Sequence, residues 1–264
     1  MKGRLGKGAT ATVYSGIIEN RIVAIKQIKL SAYSQGIKYA QATIQREYQI
    51  VKELCHPNIL RYYGLFFNKE NQQVNLIMEL VDGVPLTDFV IYVGHVNEEF
   101  TAYILRFVLD ALGFLHSHGI MHRDIKPDNV LMSMSATIKL IDFGTATKYT
   151  PNINRRNSTV GTPWYCAPEV INGEAYDTEC DVWSLGCFAV ELVSGKPPFD
   201  ELNEIACLYK MAEGQSPPLP DGISPACASF LSSCFTSDWK KRPTVKELSA
   251  SPFISSQIPL ENEH

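Results

Sequence analysis

Near the start of the chain stands Gly6-Lys7-Gly8-Ala9-Thr10-Ala11-Thr12-Val13, a G-x-G-x-x-A-x-V stretch. Small residues at these places let backbone N–H groups approach a phosphate closely. The same stretch fits the dinucleotide-binding fingerprint, which accepts alanine in the third place. That fingerprint needs a helix next and an acidic residue at the end of the following strand, whereas here a second strand follows and carries Lys26. Gly8 follows Gly6-Lys7 where a Walker A loop has Ser or Thr. A nucleotide loop of another kind, a dinucleotide loop and a plain β-turn stay open on this stretch alone. Further along come His122-Arg123-Asp124-Ile125-Lys126-Pro127-Asp128-Asn129 and Asp142-Phe143-Gly144, separated by Val130-Leu131 and the strand-like Thr137-Ile138-Lys139-Leu140-Ile141. Asp124, Asn129 and Asp142 taken singly read as turn or cap residues. Their joint spacing, following Lys26 and Glu47, argues against that.

The elements that must position these residues follow from periodicity. Ala11 to Tyr14 and Ile22 to Ile28 read as strands around a turn near Glu19-Asn20. Alternation puts Lys26 on the face of Ala24 and Ile28, where an exposed strand lysine is the plain alternative. From about Lys38 to Leu54, Ile44, Tyr48, Val51 and Leu54 recur at helical spacing, with Glu47 inside the apolar stripe. A carboxylate there is unfavourable unless a cation meets it, so Lys26 and Glu47 are expected partners; a side chain reaching solvent at the stripe's edge is the alternative. Ile59 to Phe67 and Val74 to Leu80 read as further strands. Long helices begin after Val81-Asp82-Gly83, first with Phe100, Tyr103, Ile104, Phe107, Ala111, Leu112 and Leu115 before a stop at Gly119. Val182 to Val193 is apolar nearly all round and predicts a buried helix. His116 and His118 read as a polar helix end, and His122 as a packing residue.

Composition bounds the classes. The chain has 264 residues, 45% hydrophobic and 20% charged, which excludes disordered, collagenous and disulfide-scaffold proteins. A net charge of -4 offers no overall footprint for nucleic acid, and no nucleic-acid partner is expected. An acidic protein that handles a nucleoside triphosphate must supply local lysines and a metal ion. The seven cysteines lack C-x-x-C spacing and read as small core residues. No apolar run approaches ~18 residues and no signal segment opens the chain, so no membrane is expected and the compartment expected is cytoplasmic.

The whole set resembles the eukaryotic protein kinase family. It comprises the Gly-rich loop, Val23-Ala24-Ile25-Lys26, Glu47, the motifs at 122–129 and 142–144, Ala167-Pro168-Glu169, Asp181-Val182-Trp183-Ser184-Leu185-Gly186 and Arg242 in Lys241-Arg242-Pro243, and it covers nearly the whole chain. The resemblance implies an α+β bilobal fold over residues 1–264. An N-lobe antiparallel sheet with one helix takes 1–80, a hinge 81–86, and a larger, mainly helical C-lobe 87–264. It also implies transfer of the γ-phosphate of ATP, carried as its Mg²⁺ complex, to a Ser or Thr hydroxyl of a protein substrate. In that scheme Lys26 holds the α and β phosphates and Glu47 fixes Lys26. Asn129 and Asp142 offer oxygen ligands to Mg²⁺. Asp124 orients the acceptor hydroxyl and takes its proton, and Lys126 neutralises the γ-phosphate. Lys126 at this spacing resembles the serine/threonine class. Leu5, Gly6, Gly8, Val13, Ala24 and Leu131 match nucleotide-contact positions, Met78 the gatekeeper, and Glu79 to Val81 the hinge. Glu169 and Arg242 resemble the family's buried ion pair.

Resemblance also implies regulation. Arg123 matches an arginine that pairs with a phosphate on the activation segment, where Ser158, Thr159 and Thr162 lie; Ser158 is the first choice, and Thr162 is expected to hydrogen-bond near Asp124. Arg155 to Pro163 resembles activation loops of the sterile-type group. Lys26-Gln27-Ile28 and Gly161-Thr162-Pro163-Trp164-Tyr165 look most like mitogen-activated protein kinase kinase kinases. That implies a downstream kinase as substrate and either an upstream activator or autophosphorylation. Pro127-Asp128, Ala11 and Cys166 depart from the pattern, and Thr145 hints at threonine acceptors. A pseudokinase scaffold and a metal-dependent hydrolase built on His116, His118 and His122 are the rival readings.

Overall fold

The computed structural model describes residues 3–7, 11–33, 35–148 and 162–256. Gly8, Ser158 and Thr159 lie outside the described residues. The chain divides into two compact units, Met1–Gly83 and Val84–His264.

In the first unit, β1 (Gly3–Lys7), β2 (Ala11–Ile18), β3 (Arg21–Lys29), β4 (Tyr62–Asn68) and β5 (Gln73–Glu79) form an antiparallel sheet in the order β1-β2-β3-β5-β4. Glu19 and Asn20, both at positive φ (48° and 63°), close the two-residue β2–β3 hairpin. β2 runs past Tyr14 because Gly16 admits Ile25: a Cβ there would lie 2.6 Å from the Ile25 Cδ1 atom. β4 starts at Tyr62 instead of Ile59, since a turn closed by the Ile59 amide on the His56 carbonyl (3.1 Å) occupies the chain just before it. The helix α1 (Ile37–Val51) seats Ala40 and Ile44 against Ile28, Leu30 and Val74. Antiparallel register places Val13 opposite Lys26, Ala24 opposite Met78 and Ile28 opposite Val74, so all six share one sheet face, the face that α1 covers in part.

The second unit holds α2 (Leu86–Val93), α3 (Glu98–Ser117), α4 (Pro168–Ile171), α5 (Glu179–Ser194), α6 (Glu204–Ala212), α7 (Pro225–Cys234), α8 (Val245–Ser249) and α9 (Pro252–Ser255). Asn97 caps α3 by accepting the Phe100 amide at 2.8 Å, and Glu98 and Glu99 complement the first turn. α5 is wrapped on all sides: every residue from Cys180 to Leu192 is buried. Short strands β6 (Ile120–Met121), β7 (Val130–Ser133), β8 (Ile138–Leu140) and β9 (Thr147–Lys148) pair antiparallel as β6 with β9 and β7 with β8. All cysteines except Cys55 are buried, and burial pushes the Cys166 and Cys227 thiols up to about 12. No helix of the described residues is long and apolar enough to cross a membrane.

α5 ends at Gly195, in the left-handed region at φ 77°, where a Cβ would lie 1.8 Å from the Gly94 carbonyl oxygen. Gly195→Ala is expected to lower stability by more than about 2 kcal/mol, combining the left-handed penalty with a backbone clash, as read by urea unfolding.

Candidate active site

The segment from His122 to Asn129 links β6 to the start of β7. His122 is fully buried; its Nε2 meets the Ile141 carbonyl at 3.2 Å while its Nδ1 accepts the Asp124 amide at 3.3 Å, which assigns a neutral ring protonated on Nε2. Burial drives its pKa below the ordinary value, against the pull of the Asp181, Asp124 and Asp142 carboxylates. Its ring packs edge-on to Phe143 with centroids 5.0 Å apart.

Asp124 is the centre of a polar cluster. Its Oδ1 accepts the Thr162 amide and hydroxyl, each at 3.2 Å; its Oδ2 accepts the Asn129 Nδ2 at 2.8 Å and pairs with the Lys126 ammonium at 3.1 Å. Lys126 Nζ also donates to the Thr162 hydroxyl at 2.5 Å. Asn129 gives its amide nitrogen a second acceptor, the Asp124 carbonyl, at 2.8 Å, which leaves the amide oxygen as its donor atom for a cation. The β7–β8 register sets Val130 opposite Leu140, and the Ile141 amide donates to the Asn129 carbonyl at 2.8 Å. Asn129 and Asp142 therefore stand at neighbouring strand ends. Asp142 is held at φ 56°, with its Oδ1 accepting the Gly144 amide at 3.2 Å. An amide oxygen and a carboxylate on neighbouring strand ends are donors of the type that suits a hard divalent ion, which would keep its remaining ligands from phosphate and water.

The cluster is braced from α5. Asp181, fully buried, accepts the amides of His122 (2.9 Å) and Arg123 (2.7 Å) and meets His116 Nε2 at 2.9 Å. Burial works against its charge, but the His116 bond and the His116 and His122 contacts hold its carboxyl below the usual range. The two amide bonds pin Arg123 in the left-handed region at φ 65°. His116 thus sits in the last turn of α3, as its reading as a polar helix end expects, and is in addition a half-buried hydrogen-bond partner of Asp181. The signal was present: His116 follows Leu112 by one helical turn on the apolar face of α3, and Asp181 breaks an apolar run. The Arg123 guanidinium donates from Nε to the Thr145 carbonyl at 2.7 Å, from Nη2 to the same oxygen, and from Nη1 to the Tyr176 hydroxyl at 3.2 Å.

Two further buried carboxylates were not both foreseen. Glu169 meets Arg242 in a bidentate pair (2.7 and 3.1 Å), and the guanidinium also reaches the Glu179 and Thr236 carbonyls and lies over the Trp183 ring. Glu191 on α5 accepts the Tyr165 hydroxyl. Burial raises its pKa to about 7, the Tyr165 bond opposes this and Asp128 adds to it; burial and Glu191 raise the Tyr165 phenol as well. Between the ordinary carboxyl value of 4.5 and about 7, folded Glu191 keeps a proton that the unfolded chain releases. Its contribution to stability therefore falls as pH rises through that window, by up to about 1.4 kcal/mol per unit, and is level above it. Glu191→Gln removes that slope, so the wild-type minus variant difference in unfolding free energy is expected to decline from pH 5 to 7. His122 tilts both proteins the other way and cancels in the difference.

The first unit brings Val13, Ala24, Lys26 and Met78 to one sheet face, with Glu47 half-buried on α1. Leu5 and Gly6 lie on β1, Leu5 being exposed; Glu79 ends β5 and accepts the Arg61 amide at 3.3 Å; Val81 follows, half-buried. The second unit brings Arg123, Asp124, Lys126, Asn129, Asp142 and Thr162 together, with Leu131 half-buried on β7. Among the described residues no group of three or more His, Cys, Asp or Glu is placed to hold a metal; His116 meets Asp181, His118 the Phe114 carbonyl and His122 the Ile141 carbonyl.

A sheet unit carrying a strand lysine and a helical unit presenting a carboxylate, a lysine and paired oxygen donors is the architecture of a phosphotransferase. The chain matches the family described as protein kinase domain over residues 1–254, and it belongs to that family. It is 38% identical over 252 residues to cell division control protein 7 of Schizosaccharomyces pombe, 36% identical over 254 residues to a probable serine/threonine-protein kinase of Dictyostelium discoideum, and 37% identical over 254 residues to MAP3K epsilon protein kinase 1 of Arabidopsis thaliana. Each match takes 95% of this chain but only 23%, 39% and 18% of the relative's length. The domain is a protein serine/threonine kinase, of a family that uses ATP and a divalent metal.

Proposed function

We propose that this domain transfers the γ-phosphate of MgATP to a serine or threonine of a protein substrate, with Asp124 as the base. The observation that carries the reading is the Asp124 cluster, in which one carboxylate is shared by Lys126, Asn129 and Thr162. Asp124 orients the acceptor hydroxyl and takes its proton as the oxygen bonds to the γ-phosphorus and the bond to the β-phosphate oxygen breaks, releasing ADP. Lys126 offsets charge on the transferring group, and Thr162 shapes the acceptor site. Asn129 and Asp142 would hold Mg²⁺, which would supply positive charge to offset that of the phosphates. By resemblance to the family, Lys26, with Glu47, is the residue for the α and β phosphates, and Leu5, Gly6, Gly8, Val13, Ala24, Met78, Glu79, Val81 and Leu131 are the further nucleotide-contact positions. The lobes are 1–80 and 87–264, joined by the hinge 81–86.

The likeness to the protein named MAP3K epsilon supports a signalling role with a downstream kinase as substrate; cytoplasmic residence is part of the same proposal. Arg123 receives a phosphate placed on Ser158 or Thr159 by an upstream activator or by the domain itself. Thr145 favours threonine acceptors. Labelled phosphate from γ-³²P-ATP is expected in a degenerate Ser/Thr peptide library, to vanish with EDTA and to return with Mg²⁺. Incorporation that survives chelation would refute the metal assignment, and none under any condition would refute the activity.

A further inference from the structure

We propose that Tyr176 is a positioning residue of the transfer site, holding Arg123 in place while the activation segment carries no phosphate. This rests on the reading of Arg123 as the residue that receives that phosphate. Arg123 directly precedes Asp124 and sits at φ 65°, a conformation that a β-carbon disfavours and that persists only when its surroundings determine it. Asp181 secures its backbone from one side. The side chain is secured from another: the Thr145 carbonyl takes Nε and Nη2, and the Tyr176 hydroxyl takes Nη1 at 3.2 Å. Three of the five guanidinium N–H groups are thereby engaged among the described residues.

The two acceptors come from different parts of the unit. Thr145 follows Asp142-Phe143-Gly144, and its hydroxyl returns to the His122 carbonyl at 2.9 Å. Tyr176 belongs to the segment between α4 and α5, which the Glu174 amide ties to the Glu169 carbonyl at 2.9 Å, and Glu169 is itself clamped by Arg242. The hydroxyl therefore stands on a fixed base. It is a neutral acceptor, and a phosphate makes stronger, charge-assisted bonds to the same group. Tyr176 thus governs the unphosphorylated enzyme and becomes redundant once a phosphate grips Arg123.

The test compares Tyr176→Phe with wild type in two states: phosphatase-treated, and phosphorylated to completion by a catalytic amount of wild-type protein, with stoichiometry read by intact mass. Loss of the hydroxyl is expected to lower kcat of the unphosphorylated form about five- to tenfold, with KM for ATP unchanged, while the phosphorylated forms agree within about twofold. Equal kcat in both states, or an equal loss in both, overturns the proposal; the second result marks a merely structural side chain. Arg123→Ala separates the premise. If phosphorylation activates it as strongly as wild type, Arg123 is not the receiver; if it does not respond while Tyr176→Phe matches wild type throughout, only the Tyr176 role fails. Should Tyr176→Phe fold poorly, amide hydrogen exchange of 120–125 in wild type decides: equal protection with and without phosphate supports the hold, and protection gained only with phosphate overturns it.

Discussion

Asp124→Asn is expected to leave a folded protein whose kcat falls by about 10² to 10⁴, the range for losing a positioned general base. The amide has nearly the shape of the carboxylate, so the bonds that Thr162 donates to Oδ1 can survive. Oδ2 fares worse. It accepts Asn129 Nδ2 and Lys126 Nζ, and an amide nitrogen there would set donor against donor. Turning the amide over moves the same conflict to Thr162. A fall in melting temperature of a few degrees accompanies the loss, while KM for ATP changes little. Steady-state phosphorylation of a peptide at saturating MgATP, beside a thermal melt, gives both numbers; equal incorporation by variant and wild type would sink the assignment and favour a pseudokinase scaffold.

Arg242→Ala is expected to destabilise the second unit by about 3–5 kcal/mol, because it strands the buried Glu169 carboxylate without its cation. Glu169 and Arg242 side chains are 2% and 0% exposed, so water cannot take over. The guanidinium also serves the Glu179 and Thr236 carbonyls and the Trp183 ring, all of which lose a partner. The double variant Glu169→Leu with Arg242→Met buries no charge and is expected to recover much of the deficit. Urea unfolding of the three proteins orders them; a double variant less stable than Arg242→Ala would show that the pair contributes more than its desolvation removes.

What could be read in advance was what is local. Asp124, Asn129 and Asp142 lie within one short stretch, and their spacing already implies two strands with a tight connection, which is how β7 and β8 bring Asn129 beside Asp142. The stripe of α1 and the apolar run of α5 likewise declare their own burial. The bracing of the site was not legible, since it depends on partners far apart in the chain. His116 and Asp181 are 65 residues apart, Arg123 and Tyr176 53, and Tyr165 and Glu191 26. A polar residue on a helical stripe announces that a partner is needed without saying which. Strand lengths slipped for a similar reason: whether Gly16 ends β2 or lets it continue is decided by Ile25 on the neighbouring strand.

The helix α5 has no face left over for water, and that shapes how the second unit can be made and unmade. A rod greasy on every side is insoluble by itself, and α7, which packs on it, reaches a growing chain only after it. Nascent chains that stop short of residue 230 or so therefore hold an uncovered hydrophobic shaft and need sheltering until the tail arrives. The same wrapping makes dismantling collective: peeling one neighbour away bares the shaft, so the amides of α5 should trade their hydrogens last, at the rate of whole-unit opening.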